Sequence, residues 1–413
     1  MNRDLILVFN AGSSSLKFAL FEKLFDGTHK TIIRGAISDI GKMSLLSWGD
    51  GVAKEHIQAK VINHEEAAEF VLDWLHHLRT STSLLDGVRI VAHRIVHGGK
   101  YFNAPIIVTE KAMAQLEKII SLAPLHNPQA ISVIRACRKK FTPEVLTVAV
   151  FDTTFFCNLP EYTNYALPEI LAKKHDIRRY GFHGLAHRNM AQQYSLLHAN
   201  NVTQQRVISF HLGHGCSVSA TLNGKPVETS MGFTPLEGLV MATRAGDIDP
   251  GVLIYLLKNG HKLDELEQQL NHHSGLLGIS KISADLHELL NWQNSNEQAK
   301  LAIDMFCHRA RKYLGAYLAV LQGADVILFG GGIGENAAEI RQRICADMDW
   351  CGLRLDEKRN RSANAKETLI SADDSRLRAY VILVNEENLI AEDASKVVSQ
   401  YQSDVDLYPL PNS

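Results

Sequence analysis

Several short segments carry residue types that hold anions or metal ions. Asn10-Ala-Gly-Ser-Ser-Ser-Leu-Lys17 offers backbone donors, hydroxyls and one lysine, and its glycine lets the backbone approach an anion closely. The same composition also makes an ordinary Gly/Ser turn. Gly330-Gly-Gly-Ile-Gly-Glu-Asn336 suits close approach to a nucleotide, since a helix opening there favours negative charge. It lacks the G-x-G-x-x-G spacing with a following acid, which disfavours a dinucleotide site; the alternative is a tight strand-to-helix turn. Arg94 and Arg244 bring planar forks that match carboxylate and phosphate. Each could equally be one half of a structural ion pair, with Asp247 and Asp249 as near partners for Arg244. His183 stands between glycines, and His187 follows at i+4, a metal pair only if the segment is helical. No H-E-x-x-H sequence is present, so the zinc reading is poor. Asp152 follows one apolar run and Asn385-Glu386-Glu387 follows another; carboxylates so placed suit Mg2+. The alternative for the latter is an N-cap with first-turn acids, the role assigned to Glu387.

These residues need elements to position them. Residues 5–9 are a continuous apolar run, as in a strand buried on both faces, and apolar residues resume at Leu16. The opening therefore reads as a β-hairpin and not as the strand-loop-helix of a phosphate-binding P-loop, whose sequence is also absent. The grammar returns at residues 207–221, where Phe210-His-Leu-Gly-His matches Phe9-Asn-Ala-Gly-Ser. Two such hairpins predict a duplicated domain, with both tips facing a shared cleft. Residues 65–78 and 111–122 are amphipathic helices by their periodicity. Residues 88–96, 145–151, 326–330 and 380–384 read as buried strands, the third followed by a glycine loop and then a helix. In open α/β sheets ligands bind off the carboxyl ends of strands, where the polar clusters fall. The stretch after about Gln400 reads as a loose end.

The 413 residues imply two or three domains at about 150 residues each. Lys+Arg is 43 and Asp+Glu is 45, so the net charge of -2 gives no general attraction to nucleic acid or to an anionic membrane. With 46% hydrophobic and 21% charged residues, disorder and a small disulfide-stapled fold are disfavoured. The six cysteines include no C-x-x-C pair and read as reduced thiols of a cytoplasmic protein. No run approaches the roughly 18 apolar residues of a membrane helix, and none near the start fits a signal peptide.

Taken in order, the segments resemble the acetate kinases, within the acetate and sugar kinase, heat-shock chaperone and actin superfamily. The matching stretches are Asn10-Ala-Gly-Ser-Ser-Ser-Leu-Lys17, His93-Arg-Ile-Val-His-Gly-Gly99, Ala123-Pro-Leu-His-Asn-Pro128, Phe151-Asp-Thr153, Tyr180-Gly-Phe-His-Gly184, Gly232-Phe-Thr-Pro-Leu-Glu-Gly238, Gly246-Asp-Ile-Asp-Pro250, Ser274-Gly-Leu-Leu-Gly278, Gly331-Gly-Ile-Gly-Glu-Asn336 and Asn385-Glu-Glu387. The resemblance implies an α/β fold of two duplicated ribonuclease-H-like, actin-like ATPase domains. One comprises residues 1–152 with 387–413, closed by the C-terminal helix; the other is 153–386, with the nucleotide loops. It implies a cytoplasmic homodimer that transfers the ATP γ-phosphoryl group to acetate, giving ADP and acetyl phosphate, with Mg2+ or alternatively Mn2+. By the same resemblance Asn10 and Glu386 are metal positions, and Asp152, His183 and Arg244 are catalytic. Arg94 would bind the substrate carboxylate, and Val96, Leu125, Phe182 and Pro235 the acetate methyl. Lys17, His211, Leu212, Gly213, His214, Gly215, Asp285, Leu286, His287, Gly332, Ile333, Gly334, Glu335 and Asn336 would bind nucleotide. Nucleic acid and membrane are not expected partners.

The departures from the family pattern gather on the nucleotide side. His214 stands for a usual Asn, His287 for Arg, Gly330 for a hydroxyl residue, and Asn388 for Leu. Ala242 and Ala245 flank Arg244 where Gly and often Cys are usual, and Leu383-Val384 replaces Pro-Thr. A histidine replaces arginine's charge only when protonated, so weaker ATP binding or an altered phosphoryl donor is expected. A propionate or butyrate kinase is the nearest rival, and the bulk of Val96 favours acetate. A nucleotide-driven switch would have no need of Arg94, His183 and Arg244. A divergent paralogue with poor turnover is the third alternative.

Overall fold

The computed structural model describes residues 4–49, 54–78, 83–198, 205–363 and 367–407. The chain divides into two compact units, Met1–Thr154 with Asn385–Ser413, and Phe155–Val384.

The first unit holds β1 (Leu5–Ala11), β2 (Leu16–Lys23), β3 (His29–Ser38), β4 (Met43–Gly49), β5 (Lys54–Lys60), β6 (Val88–Ile95), β7 (Ile106–Ile107) and β8 (Leu146–Phe151). They form one sheet in the order β5-β4-β3-β2-β1-β6-β8-β7. β1 to β5 are an antiparallel meander, while β1, β6 and β8 run parallel. Every residue of β1 is buried, as its unbroken apolar run requires of a strand covered on both faces. The helix His64–His77 buries Ala67, Ala68, Val71, Leu72 and Leu75, and its N-cap Asn63 accepts from the Glu66 amide at 2.9 Å. The helix Asn127–Lys140 packs on it and on β1 and β6. The long helix Glu386–Leu407 lies against β1, β6 and β8. It continues past Gln400, where a loose end was expected, because the first helix breaker is Pro409. Residues 408–413 of that expected loose end lie outside the described residues.

The second unit repeats the kernel. It holds β9 (Arg206–Leu212), β10 (Cys216–Leu222), β11 (Lys225–Thr229), β12 (Val326–Gly330), β13 (Thr368–Leu369) and β14 (Arg378–Val381), ordered β11-β10-β9-β12-β14-β13. Three antiparallel strands again lead into two parallel ones. The predicted glycine loop after β12 is instead a helical turn, Gly331–Asn336. Gly331 enters it at φ +78°, and a Cβ there would lie 2.7 Å from the Leu212 carbonyl oxygen. All six cysteines are free.

A buried arginine secures that turn. Arg341 is fully buried, and its guanidinium donates to the Gly334 carbonyl at 2.9 Å, the Glu335 carbonyl at 3.0 Å, Asn360 Oδ1 at 2.8 Å and the Asn360 carbonyl at 2.7 Å. Burial pulls the guanidinium down to about 10, yet it stays charged at neutral pH. These bonds satisfy the last carbonyls of a helix too short to be stable alone. Arg341→Met is expected to destabilise the protein by about 2–4 kcal/mol, because buried carbonyls lose their donors. Chemical denaturation with nucleotide-independent probes tests this; an unchanged midpoint would refute it.

Candidate active site

In the first unit, parallel register delivers one cluster. Asn10 at the end of β1 pairs with Arg94 of β6, and Asp152 follows β8 directly. Arg94 donates through Nε to Asp152 Oδ1 at 2.9 Å and through Nη2 to Oδ2 at 2.5 Å, a bidentate fork on a fully buried carboxylate. Arg94 Nη1 donates to Asn10 Oδ1 at 3.0 Å. The Asn10 amide in turn donates to Glu386 Oε2 at 2.9 Å and to Glu387 Oε1 at 3.2 Å. Burial alone would lower the Arg94 pKa, but Asp152 and Glu386 more than reverse this and hold the guanidinium charged.

Residues 385–387 open the long helix beside Asn10. Asn385 caps the helix, accepting from the Asn388 amide at 3.2 Å. Glu387, assigned only to the helix dipole, nevertheless shares the Asn10 amide with Glu386. One amide therefore gathers two half-buried carboxylates. This oxygen-only donor set fits Mg2+, which takes one or two carboxylates and completes its shell with phosphate oxygens and water. Among the described residues no group of three or more His, Cys, Asp or Glu forms a closed cage, which such a cation does not require.

The remaining predicted residues of this unit are placed by loops. Val96 is buried after β6 and Leu125 is half-buried. Asn127 ties their two segments together, accepting from the His97 amide at 3.2 Å and donating to the His97 carbonyl at 3.0 Å. Lys17 lies on β2 opposite Asn10, with its side chain exposed.

In the second unit, His183 caps the helix Gly184–Leu197 from a left-handed conformation, φ 56° and ψ 27°. Its ring packs 4.7 Å from that of His211. A Cβ on Gly215 would lie 3.3 Å from His183 Nε2 and 3.6 Å from Arg244 Nη1, so both side chains border the space over that glycine. Arg244 Nη1 also donates to the Pro235 carbonyl at 3.2 Å. Asp247, a candidate partner for Arg244, accepts from Tyr313 at 2.9 Å and lies 3.4 Å from Arg309. Asp249 instead caps the helix Pro250–Lys258. Phe182 is buried, and its loop is pinned where the Tyr180 and Gly181 amides donate to the Gly232 carbonyl at 3.0 and 3.2 Å. The His183/His187 pair holds no metal geometry: both rings meet the Ser217 hydroxyl instead.

A cavity of about 540 Å³ opens beside these loops. Gly213, His214, Asp285, Leu286, His287, Gly332, Ile333 and Asn336, eight of the residues assigned to nucleotide by resemblance, line it. His211, Leu212, Gly215, Gly334 and Glu335 do not. Leu212 and Gly334 are buried in packing, and Gly215 and His211 face His183. Glu335 is spent on the backbone, accepting from the Gly331 and Val384 amides at 2.9 and 3.1 Å. Ala242, Ala284, Leu290, Ala337, Ala338 and Glu339 complete the wall. They neighbour predicted residues in sequence, but nothing in their own types marks them as lining residues.

Comparison with known proteins shows the family. Residues 5–392 match the profile of the acetokinase family. The acetate kinase of Chloroherpeton thalassium is 43% identical over 411 residues, covering 95% of this chain and 99% of its own. That of Solibacter usitatus is 42% identical over 405 residues, covering 95% and 98%. Among solved structures, Porphyromonas gingivalis acetate kinase has a TM-score of 0.85 at 37% identity, covering 96% of this chain and all of its own. A propionate kinase from Francisella tularensis has a TM-score of 0.87 at 36% identity, covering 95% and 100%.

His93, beside Arg94, has a distinct energetic signature. It is buried, stacks on Phe9 at 5.8 Å between centroids, and neither ring nitrogen has a partner among the described residues. Burial pushes it down to about 3. Its folded value lies below the unfolded value near 6.5, so its contribution is complete above about pH 6.5 and is lost as pH falls toward 3. The slope is about 1.4 kcal/mol per pH unit. His93→Leu is expected to keep stability at neutral pH and to flatten the acid limb of a urea-midpoint profile. An acid limb as steep as the wild type's would refute the assignment.

Proposed function

Because the chain belongs to the acetokinase family, we propose that it transfers the γ-phosphoryl group of ATP to acetate, reversibly, giving acetyl phosphate and ADP. The enzyme is a phosphotransferase with a carboxyl group as acceptor. The observation that carries the reading is 43% identity along nearly the whole chain to a protein named acetate kinase.

The chemistry of the two clusters supports it. Acetate is already ionised at neutral pH, so the reaction needs no strong general base; it needs two anions to meet. Phosphoryl transfer is mainly positioning and charge stabilisation. Arg94 is assigned to the acetate carboxylate, Arg244 to the phosphoryl group, and His183 to a donor on the transferring oxygens. Asp152 orients Arg94, since both of its oxygens already accept from that guanidinium. A proton-abstracting role would leave those bonds unexplained. Asn10 and Glu386, with Glu387 beside them, would hold Mg2+, which when bound offsets phosphate charge. The 540 Å³ cavity is assigned to the nucleoside of ATP. The family also supports a homodimer in the cytoplasm.

Propionate is the second reading, favoured by the likeness to a propionate kinase. The bulk of buried Val96 sets the preference toward acetate. One methylene is worth about 1–3 kcal/mol in an apolar pocket, so propionate is expected to react roughly 10- to 200-fold less efficiently. A coupled assay of ADP formation from Mg-ATP with acetate, propionate and butyrate tests this. Arg244→Ala is expected to lower kcat by about 1,000-fold or more. Asp152→Asn is expected to fall well below wild type, and near-full activity would remove Asp152 from any essential role. No acetate-dependent ADP formation by the wild type would overturn the proposed function.

A further inference from the structure

Four side chains of the second unit form one hydrogen-bonded chain that ends at His183. His183 Nδ1 lies 2.9 Å from Ser217 Oγ. The same oxygen lies 2.8 Å from His187 Nε2, and His187 Nδ1 lies 2.8 Å from Ser209 Oγ. Ser209, Ser217 and His187 are all fully buried. The fold fixes their placement: Ser209 is on β9, Ser217 faces His211 across the β9–β10 hairpin, and His183 caps the helix Gly184–Leu197 with His187 one turn on.

Counting protons gives the chain a direction. A serine hydroxyl has one hydrogen, so Ser217 can donate to only one of the two rings. His187 is neutral, because full burial, reinforced by His211, holds its pKa well below the ordinary value. Suppose Ser217 donates to His187 Nε2. Then His187 Nδ1 carries the hydrogen and donates to Ser209, and the buried Ser209 hydrogen finds no acceptor among the described residues. Leaving a buried donor unsatisfied is costly. The opposite direction satisfies the three fully buried members, Ser209, His187 and Ser217. Ser209 donates to His187 Nδ1, His187 Nε2–H donates to Ser217, and Ser217 donates to His183 Nδ1. A doubly protonated His183 would require the costly direction, since its Nδ1 would have to donate.

We propose that Ser217, His187 and Ser209 are positioning residues that hold His183 as the neutral tautomer with its hydrogen on Nε2. Nε2 is the atom that borders the space over Gly215 beside Arg244. In this tautomer the ring presents an N–H to an anion there; in the other it presents a lone pair, which an anion repels. The serines therefore decide whether His183 helps or opposes phosphoryl transfer, a consequence that rests on the proposed function. Arg244, His187 and His211 are among the groups beside the ring, and the relay relies on the neutral state of His187.

The test is a nitrogen-15 two-bond correlation spectrum of the full chain labelled at histidine, at neutral pH. His183→Gln and His187→Gln identify the two rings. The wild type is expected to show both rings protonated on Nε2 and bare on Nδ1. Ser217→Ala is expected to release His183 into a mixture of tautomers and to lower kcat about 10- to 100-fold, the usual range for losing a group that orients a functional one. The KM for acetate should stay within about twofold, since the orienting bond matters most as charge develops in the transition state. Ser217→Thr, which keeps the hydroxyl, is expected to restore the tautomer. Ser209→Ala acts one ring further away and should shift His187 first. Either ring carrying its hydrogen on Nδ1 in the wild type overturns the proposal, as does an unchanged His183 tautomer in Ser217→Ala. If Ser217→Ala does not fold, the wild-type and Ser209→Ala spectra still decide the matter. The expected tautomers in a wild type that does not phosphorylate acetate would refute the function and leave the relay standing.

Discussion

The first unit depends on the bidentate contact between Arg94 and Asp152. A buried carboxylate is expensive unless it is paired, and a guanidinium at the end of a parallel strand is expensive unless something anionic faces it. β6 and β8 run side by side, so the two groups meet at their carboxyl ends and each removes the other's penalty. The neighbouring strand β1 adds Asn10, whose oxygen takes the third arm of the guanidinium. That leaves the Asn10 amide hydrogens to gather Glu386 and Glu387. The cluster is thus ordered outward from one ion pair, with the two half-buried carboxylates as its last members.

The second unit solves a similar problem with neutral groups. Burial lowers the Arg244 guanidinium, with the Cys216 thiol pulling the other way, and the Pro235 carbonyl accepts from it. His183 Nδ1 meets a serine hydroxyl. A carboxylate partner would raise the basicity of the ring and favour its cationic form. A hydroxyl orients it without adding charge. The same economy appears at Arg341, whose buried guanidinium is met by carbonyls and an amide.

What the sequence made legible was what continuous apolar runs and their polar ends encode. The two hairpins, the parallel strands and the residues at strand ends follow from such runs, so Asn10, Arg94 and Asp152 were found together. Glu387 was not, because adjacent acids opening a helix have a sufficient local explanation in its dipole. Ser217 and Ser209 looked like ordinary members of buried strands; their meaning arises only where a helix brings two rings against them. Ala284, Leu290, Ala337 and Ala338 of the cavity wall read equally well as core. Glu335, assigned to nucleotide by resemblance, accepts from two backbone amides, a contact that no sequence pattern marks.

The duplicated kernel shows how position and chemistry separate. Phe9 and Phe210 fill the same slot, buried near the ends of β1 and β9. The next residue is Asn10 in one unit and His211 in the other. Across each hairpin, Lys17 faces Asn10 and Ser217 faces His211. In the first unit this slot is an exposed cation beside a carboxylate cluster; in the second it is a buried hydroxyl inside a histidine chain. Hairpin register is fixed by burial, because a slip of one residue would turn Phe9 or Phe210 out of its core. The residue that follows the anchor is therefore delivered to the same place whatever its type. Substitution at that slot changes what the strand end does while the packing that places it stays the same, which is how one topology supplies a carboxylate-rich site in one unit and a histidine site in the other.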